Sequence, residues 1–101
     1  MTYDFHGSWD KKTGHNSPLY AHPGDTGIQA NYNIDSAIKY YIQHGAPKEK
    51  INVGLATYGR NFILADPSQS DVNDPINGAG LPGRYSGEAG FKAYYEVSLS
   101  C

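Results

Sequence analysis

Cysteine, charged residues and long apolar runs are scarce in this chain, and these scarcities limit what the protein can be. The one cysteine among the 101 residues is Cys101, so no internal disulfide can form and cysteine pairing does not reveal the redox compartment. Charged residues make up 18% of the sequence and the formal net charge is -2, which predicts no nucleic acid or anionic membrane partner. No run of about 18 apolar residues occurs, so a membrane span is not expected.

Cofactor and metal chemistry also lack a sequence signal. The four histidines are not paired at i, i+4 or across a short loop, as metal ligands usually are. The run Gly78-Ala79-Gly80 is not followed by the residues of a phosphate-binding loop, and Gly7-Ser8-Trp9 is not a nucleophile elbow. We therefore expect no cofactor, no metal ion and no serine hydrolase chemistry.

Tyrosine, in contrast, is abundant. Nine Tyr stand beside three Phe and one Trp, a balance that suggests wet, aromatic-lined surfaces. Residues 7–32 are rich in Gly, Ser, Pro, Asn and His, which predicts one long loop. Compact domains rarely keep about 25 residues without regular structure unless the loop is functional, although a solvated linker is the alternative.

A helix between two strands is predicted in the first 57 residues. Apolar residues recur at helical spacing over residues 34–44, at Ile34, Ala37, Ile38, Tyr41 and Ile42. Asn33 is a suitable N-cap, and Gly45 followed by Pro47 ends the helix. Residues 1–6 and 51–57 read as strands, so the order predicts a βαβ unit with parallel strands.

Ligands of parallel α/β units collect at the carboxyl ends of the strands. Tyr3 and Asp4 stand at the end of the first predicted strand, and Tyr58 and Arg60 at the end of the second. After Phe62 and up to about residue 84 the composition changes to Pro, Gly, Ser, Asp and Asn, which indicates an insertion.

Four ordered motifs carry a resemblance to a known family. The runs are MTYDFHGSW at 1–9, TGHNSPLY at 13–20, TYGRNF at 57–62 and AYYEV at 93–97. Together they resemble family 18 glycoside hydrolases of the animal chitinase type. The resemblance implies an α/β fold, a partial (β/α)8 TIM barrel comprising the sixth and seventh strands. Residues 1–61 would be the barrel segment and residues 62–101 part of the α+β chitinase insertion domain.

The function that the resemblance implies is a part of a chitinase-like glycoside hydrolase that binds chitin or N-acetylglucosamine oligomers. Hydrolysis in this family is substrate-assisted, with the 2-acetamido oxygen as nucleophile and one acid that protonates the leaving oxygen. The family's Asp-x-x-Asp-x-Asp-x-Glu signature does not occur in this sequence. We therefore expect no catalysis by this stretch alone, and a non-enzymatic chitin-binding protein is the alternative. An extracellular location is implied, although the first residues lack the basic and apolar regions of a signal peptide.

The resemblance assigns substrate contacts to six residues, which are Tyr3, Asp4, Trp9, Tyr58, Arg60 and Glu88. It implies that Tyr3 contacts the acetamido group, that Asp4 bonds the sugar near the cleavage point, and that Trp9 stacks on a ring. Structural roles are the alternatives: a core aromatic for Tyr3, a turn residue for Asp4 and a loop anchor for Trp9. Arg60 would otherwise be an exposed ion-pair partner beside a core tyrosine.

Two further points concern the second half of the chain. Glu88 and Phe91 lie where the family supplies contacts from the cleft wall, but a solvated carboxylate at Glu88 is an equal alternative. Close relatives carry Cys directly after the Tyr-Tyr-Glu-Val motif, whereas this chain has Ser98 there and Cys101 three residues later. The family's disulfide at that point is therefore in doubt.

Overall fold

The structure is a computed structural model that describes residues 1–100. Two helices and four short strands form its regular elements, with two short 3-10 helices at Gly27–Asn31 and Lys48–Lys50. The elements are α1 (Ile34–Gln43), β1 (Tyr58–Arg60), β2 (Phe62–Leu64), β3 (Ile76–Ala79), β4 (Phe91–Ala93) and α2 (Tyr94–Ser100). Cys101, and with it the question of a disulfide, lies outside the described residues.

The predicted helix is confirmed as α1, and its start is chemically specified. The Asn33 side chain accepts a 2.9 Å hydrogen bond from the Ser36 backbone N–H, as an N-cap should. Asn33 also donates from Nδ2 to the carbonyl of Ala30 and is only 1% exposed, so the cap is anchored on both sides. Gly45 follows the helix at φ 94, a left-handed conformation that favours glycine.

The two strands predicted at 1–6 and 51–57 are wrong, because neither segment forms a ladder among the described residues. Asp4 has φ 60, which interrupts any strand through this position, and the Phe5 N–H donates to the Asn16 carbonyl instead. The two segments still lie side by side, since the Thr2 hydroxyl donates a 2.5 Å hydrogen bond to the Gly54 carbonyl. A strand needs a partner with matching backbone groups, and apolar composition does not supply one.

Both strand pairs in residues 1–100 are antiparallel. β1 pairs with β4, with Tyr58 opposite Ala93 and Arg60 opposite Phe91. β2 pairs with β3 through an irregularity between Ile63 and Leu64. The parallel pairing of the predicted βαβ unit is therefore not formed here. The predicted domain boundary lies between residues 61 and 62, and the β1–β4 pair joins the segments on its two sides. The division into two domains therefore stays a prediction.

A second set of backbone contacts joins the first loop to the insertion. Thr13 exchanges four hydrogen bonds with this segment, two through its backbone and two through its hydroxyl, at distances of 2.6 to 3.2 Å. Its partners there are Asp71, Asn73 and Asp74. Lys12 forms an isolated bridge with Pro75. These contacts hold the loop after Trp9 against residues 71–76.

Packing in the described chain is thin. Among these residues no apolar side chain is fully buried, and the fully or nearly buried polar ones are Thr2, His6, Asn33 and Glu96. Neither helix of residues 1–100 is both long and apolar enough to cross a lipid bilayer.

Candidate functional site

The candidate site is organised around the carboxylate of Asp4. Its Oδ1 accepts hydrogen bonds from the Tyr58 hydroxyl at 2.6 Å and from Nε and Nη2 of Arg60 at 3.0 and 2.9 Å. All three bonds fall on the same oxygen, and Oδ2 takes part in none of them. The left-handed backbone of Asp4 is a strained conformation for a residue with a side chain, and strain of this kind clusters at functional sites.

Arg60 lies among aromatic rings as well as beside Asp4. Its Cζ is 5.2 Å from the centroid of the Trp9 ring, 5.4 Å from that of Tyr58 and 5.6 Å from that of Phe91. Arginine over the face of an aromatic ring within about 6 Å is attracted by the ring quadrupole. The guanidinium therefore ties the Trp9 loop to β1.

Two more rings complete the cluster. Tyr3 meets Tyr58 edge to face at a centroid separation of 5.9 Å, and Phe91 stacks on Tyr58 at 5.1 Å. Trp9 is 57% exposed, so part of its indole faces solvent beside these groups. The structure thus brings five of the six predicted site residues together: Tyr3, Asp4, Trp9, Tyr58 and Arg60.

The sixth predicted residue, Glu88, is not joined to the other five by any contact described for residues 1–100. Glu88 is exposed, and its carbonyl accepts a 3.3 Å hydrogen bond from the Phe91 N–H. Phe91, which the sequence analysis named together with Glu88, does contact the cluster, because its ring stacks on Tyr58. That hydrogen bond lies directly before β4, and β4 pairs with β1, which carries Tyr58. Composition does not reveal this pairing.

Asn16 is a site residue that the sequence reasoning missed. Its Oδ1 accepts the Asp4 N–H at 2.9 Å, and its Nδ2 donates to the Tyr58 carbonyl at 3.2 Å. The Asn16 side chain thereby bonds the backbone of both Asp4 and Tyr58. Asn16 lies inside the matched run at 13–20, but the residues that it bonds are 12 and 42 positions away, and no local pattern signals them.

The charge distribution favours an ionised Asp4 and a neutral Tyr58. Burial raises the pKa of the Asp4 carboxyl, but hydrogen bonds from Tyr58 and Arg60 and the Arg60 charge outweigh it, so this pKa lies below its usual 3.8. Burial, followed by the hydrogen bond to Asp4 and its negative charge, raises the pKa of Tyr58 to about 12. At neutral pH the phenol is therefore a donor and the carboxylate an acceptor.

Groups able to hold a metal ion do not gather in the part of the chain that the structure describes. No three His, Cys, Asp or Glu side chains of residues 1–100 come together at ligating positions. The arrangement offers instead a carboxylate, a guanidinium and an exposed indole on one surface, which are groups that bond hydroxyls and stack on apolar ring faces.

Comparison with curated proteins shows relatives over nearly the whole chain. The family model for glycosyl hydrolases family 18 matches residues 1–101. Chitotriosidase-1 of Mus musculus is 48% identical over 97 residues, which cover 96% of this chain and 21% of that protein. Probable chitinase 10 of Drosophila melanogaster is 43% identical over 99 residues, which cover 98% of this chain and 4% of that protein.

Solved structures agree with this family match. Human YKL-39, described as a pseudo-chitinase with retained chitooligosaccharide binding, superposes with a TM-score of 0.95 at 42% identity, over 99% of this chain and 28% of that one. The group IV chitinase of Ostrinia furnacalis in complex with allosamidin gives a TM-score of 0.92 at 45% identity, over 99% of this chain and 27% of that one.

This chain spans less than a third of each of these four proteins, although they cover nearly all of it. The described residues have the fold of the matching stretch of family 18 structures. The motifs, the family match and the structural similarity agree, and the chain belongs to glycosyl hydrolase family 18, among the animal chitinases and chitinase-like proteins.

Proposed function

We propose that this chain forms one side of a cleft that binds chitin or N-acetylglucosamine oligomers. The observation that carries the proposal is the convergence of Trp9, Arg60 and the Asp4–Tyr58 pair on one surface. The 5.2 Å separation of Arg60 Cζ from the Trp9 ring sets fixed donors beside an exposed stacking platform. A pyranose ring presents apolar C–H groups on its faces and hydroxyls at its rim, so such a surface complements it.

The acetamido group is the feature of the sugar that this surface suits best. Its carbonyl accepts hydrogen bonds, which the Tyr3 hydroxyl and the Arg60 guanidinium can donate. Asp4 offers Oδ2 to a sugar hydroxyl or to the acetamido N–H, since its Oδ1 is already occupied by Tyr58 and Arg60. Solved relatives described as binding chitooligosaccharides support this choice of ligand.

In architecture, we assign residues 1–61 to a barrel segment and residues 62–101 to part of the insertion domain of a chitinase-type (β/α)8 barrel. The TM-scores of 0.92 and 0.95 to family 18 structures support this assignment. The thin packing agrees with it, because barrel segments bury their apolar faces against neighbouring strands and helices. We also propose an extracellular site of action, as the family resemblance implies.

The whole protein has two candidate activities, hydrolysis and binding without hydrolysis. The family signature that carries the general acid of a substrate-assisted mechanism does not occur in these 101 residues. Relatives of both kinds support keeping both candidates, since one is named a chitotriosidase and another a pseudo-chitinase. We expect the 101-residue chain alone to release no product from chitobiose or chitotriose substrates, because general acid help is typically worth about 10²–10⁴-fold.

The test uses the chain itself and a barrel graft, which we define as these 101 residues in place of the matching stretch of an active family 18 chitinase. We expect N-acetylglucosamine oligomers to change the Trp9 fluorescence of the 101-residue chain at high concentration, with glucose oligomers less effective. In the barrel graft we expect retained hydrolysis, and a loss of affinity in Trp9→Ala. Equal responses to both sugars, or a graft whose affinity does not change in Trp9→Ala, would contradict the proposed site.

A further inference from the structure

The indole of Trp9 lies directly against the backbone of Gly7, two residues earlier. A Cβ placed on Gly7 would be 2.7 Å from Cζ2 of the indole and closer still to Cη2 and Cζ3. Real carbon contacts are not this short, so the ring could not keep its place above any residue with a side chain. Gly7 is buried, and its φ does not lie in the left-handed region. The close approach of the ring, and not the backbone conformation, is what requires glycine here.

The backbone under the ring is held by Asp10. The Asp10 N–H donates to the Gly7 carbonyl at 3.0 Å and closes the turn that carries Trp9. The Asp10 carboxylate accepts from the Gly7 N–H at 3.4 Å and contacts Nδ1 of His6 at 3.2 Å. His6 is 5% exposed, so the base of the turn is anchored in the interior.

His6 is also packed against two other residues. A Cβ on Gly14 would lie 2.5 Å from Cγ of His6, which means that the loop backbone passes directly over the imidazole ring. Tyr32 approaches the same imidazole with a centroid separation of 6.1 Å. The turn below the indole is therefore closely packed at His6, while the indole itself is 57% exposed.

We infer that Gly7 is a positioning residue for Trp9: the missing side chain sets where the indole rests beside Arg60. The inference rests on the proposed function in that a sugar is what the placed indole would bind. A methyl group at Gly7 displaces the outer ring atoms, because a partly exposed indole moves more easily than a buried turn. Displacement separates the ring from the guanidinium that now lies 5.2 Å from its centroid.

A double-mutant cycle tests this inference, because it separates an effect through Trp9 from an effect on the fold. The variants are Gly7→Ala, Trp9→Phe and the two together, each in the 101-residue chain and in the barrel graft. Phenylalanine keeps a stacking ring but lacks Cζ2, Cζ3 and Cη2 of the indole, so it leaves room for the added methyl. We expect Gly7→Ala to weaken binding of N-acetylglucosamine oligomers about 2- to 10-fold, the range of one aromatic pair. In the Trp9→Phe background the same change should have almost no effect.

A readout without sugar distinguishes failure of this inference from failure of the proposed function. With 5-fluorotryptophan labelling, the ¹⁹F resonance that is absent from Trp9→Phe belongs to Trp9. We expect Gly7→Ala to shift that resonance and to raise its accessibility to a soluble paramagnetic probe. If no form binds sugar, the proposed function fails, and the resonance still decides whether Gly7 sets the ring position.

Every outcome of the cycle bears on the inference. An equal loss of affinity in both backgrounds, or an unmoved Trp9 resonance, overturns it. If Gly7→Ala does not fold but the double variant does, the ring contact is the cause and the inference stands. If both fail to fold, Gly7 acts through the backbone alone and the inference is wrong.

Discussion

The Tyr58 hydroxyl donates a 2.6 Å hydrogen bond to Oδ1 of Asp4, which lies 54 residues earlier in the chain. Arg60 donates twice to the same oxygen, so one carboxylate atom gathers three donors from β1. These three hydrogen bonds connect the first residues of the chain to β1. Their loss should therefore affect both the stability and the ligand surface.

Tyr58→Phe removes one donor from this network and keeps the ring packed on Phe91. Hydrogen bonds to charged groups contribute about 1.5–3 kcal/mol, and Asp4 keeps Arg60, so we expect destabilisation of about 1–2 kcal/mol. Urea unfolding of the barrel graft measures it. Tyr20→Phe is the matched control, because Tyr20 is 66% exposed and the same atom is removed in solvent. An equal effect of the two variants would contradict the importance of the Asp4 contact.

The ionisation of Tyr58 supplies a second prediction. Because the folded protein holds the pKa of Tyr58 near 12, above its usual 10, the neutral phenol stabilises the fold. This contribution is fully present below pH 10 and is lost as pH rises toward about 12. Ultraviolet titration of the barrel graft should show a last phenolate step in this window that is missing from Tyr58→Phe. A last step that persists in the variant would assign it to another tyrosine.

The backbone of Asp4 predicts an unusual order of variants. At φ 60 a residue with a Cβ costs about 1–2 kcal/mol more than glycine, so Asp4→Gly should be more stable than Asp4→Ala by about 1 kcal/mol. Both variants should lose affinity for N-acetylglucosamine oligomers, since neither has a carboxylate.

Asp35, in α1, is the control position for this comparison. There Asp35→Gly should be less stable than Asp35→Ala by up to about 1 kcal/mol, because glycine is unfavourable within helices. Chemical denaturation of the four variants measures the difference in the free energy of unfolding between glycine and alanine at each position. The same order at both positions would contradict a strained backbone at Asp4.

Glu96 forms a contact that we expect to be sensitive to acid. Its carboxylate accepts from the Tyr85 and Ser86 N–H groups, the Ser86 hydroxyl and the Ala93 N–H, at 2.6 to 3.2 Å. These bonds, led by the Ser86 hydroxyl, lower the pKa of Glu96 to about 2. The stability that they provide is present above pH 4.5 and is lost as pH falls toward about 2.

Glu96→Gln tests the acid-sensitive contact, because an amide turns one acceptor into a donor that faces other donors. Hydrogen exchange at the Tyr85, Ser86 and Ala93 amides should be faster in the variant at neutral pH. In the wild type it should approach the variant's rate as the carboxylate is protonated. Protection at these amides that is unchanged in Glu96→Gln would show that other contacts hold the segment.

The features that could be predicted from the sequence depend on neighbours in the chain. The helix α1 was predictable because its apolar spacing, its cap at Asn33 and its end at Gly45 are local features. The family was predictable because its motifs are contiguous runs. Those motifs also identified the five residues that converge, although their role in binding stays a proposal.

The features that could not be predicted depend on partners far along the chain, which come together only when the chain folds. Residues 1–6 and 51–57 have the composition of strands but find no ladder among the described residues, whereas β1 forms because β4 lies beside it. Asn16 joins the site by bonding residues 12 and 42 positions away, and Phe91 reaches Tyr58 where Glu88 does not. Hydrogen bonds across such separations depend on how the chain closes in space, and no local periodicity records that closure.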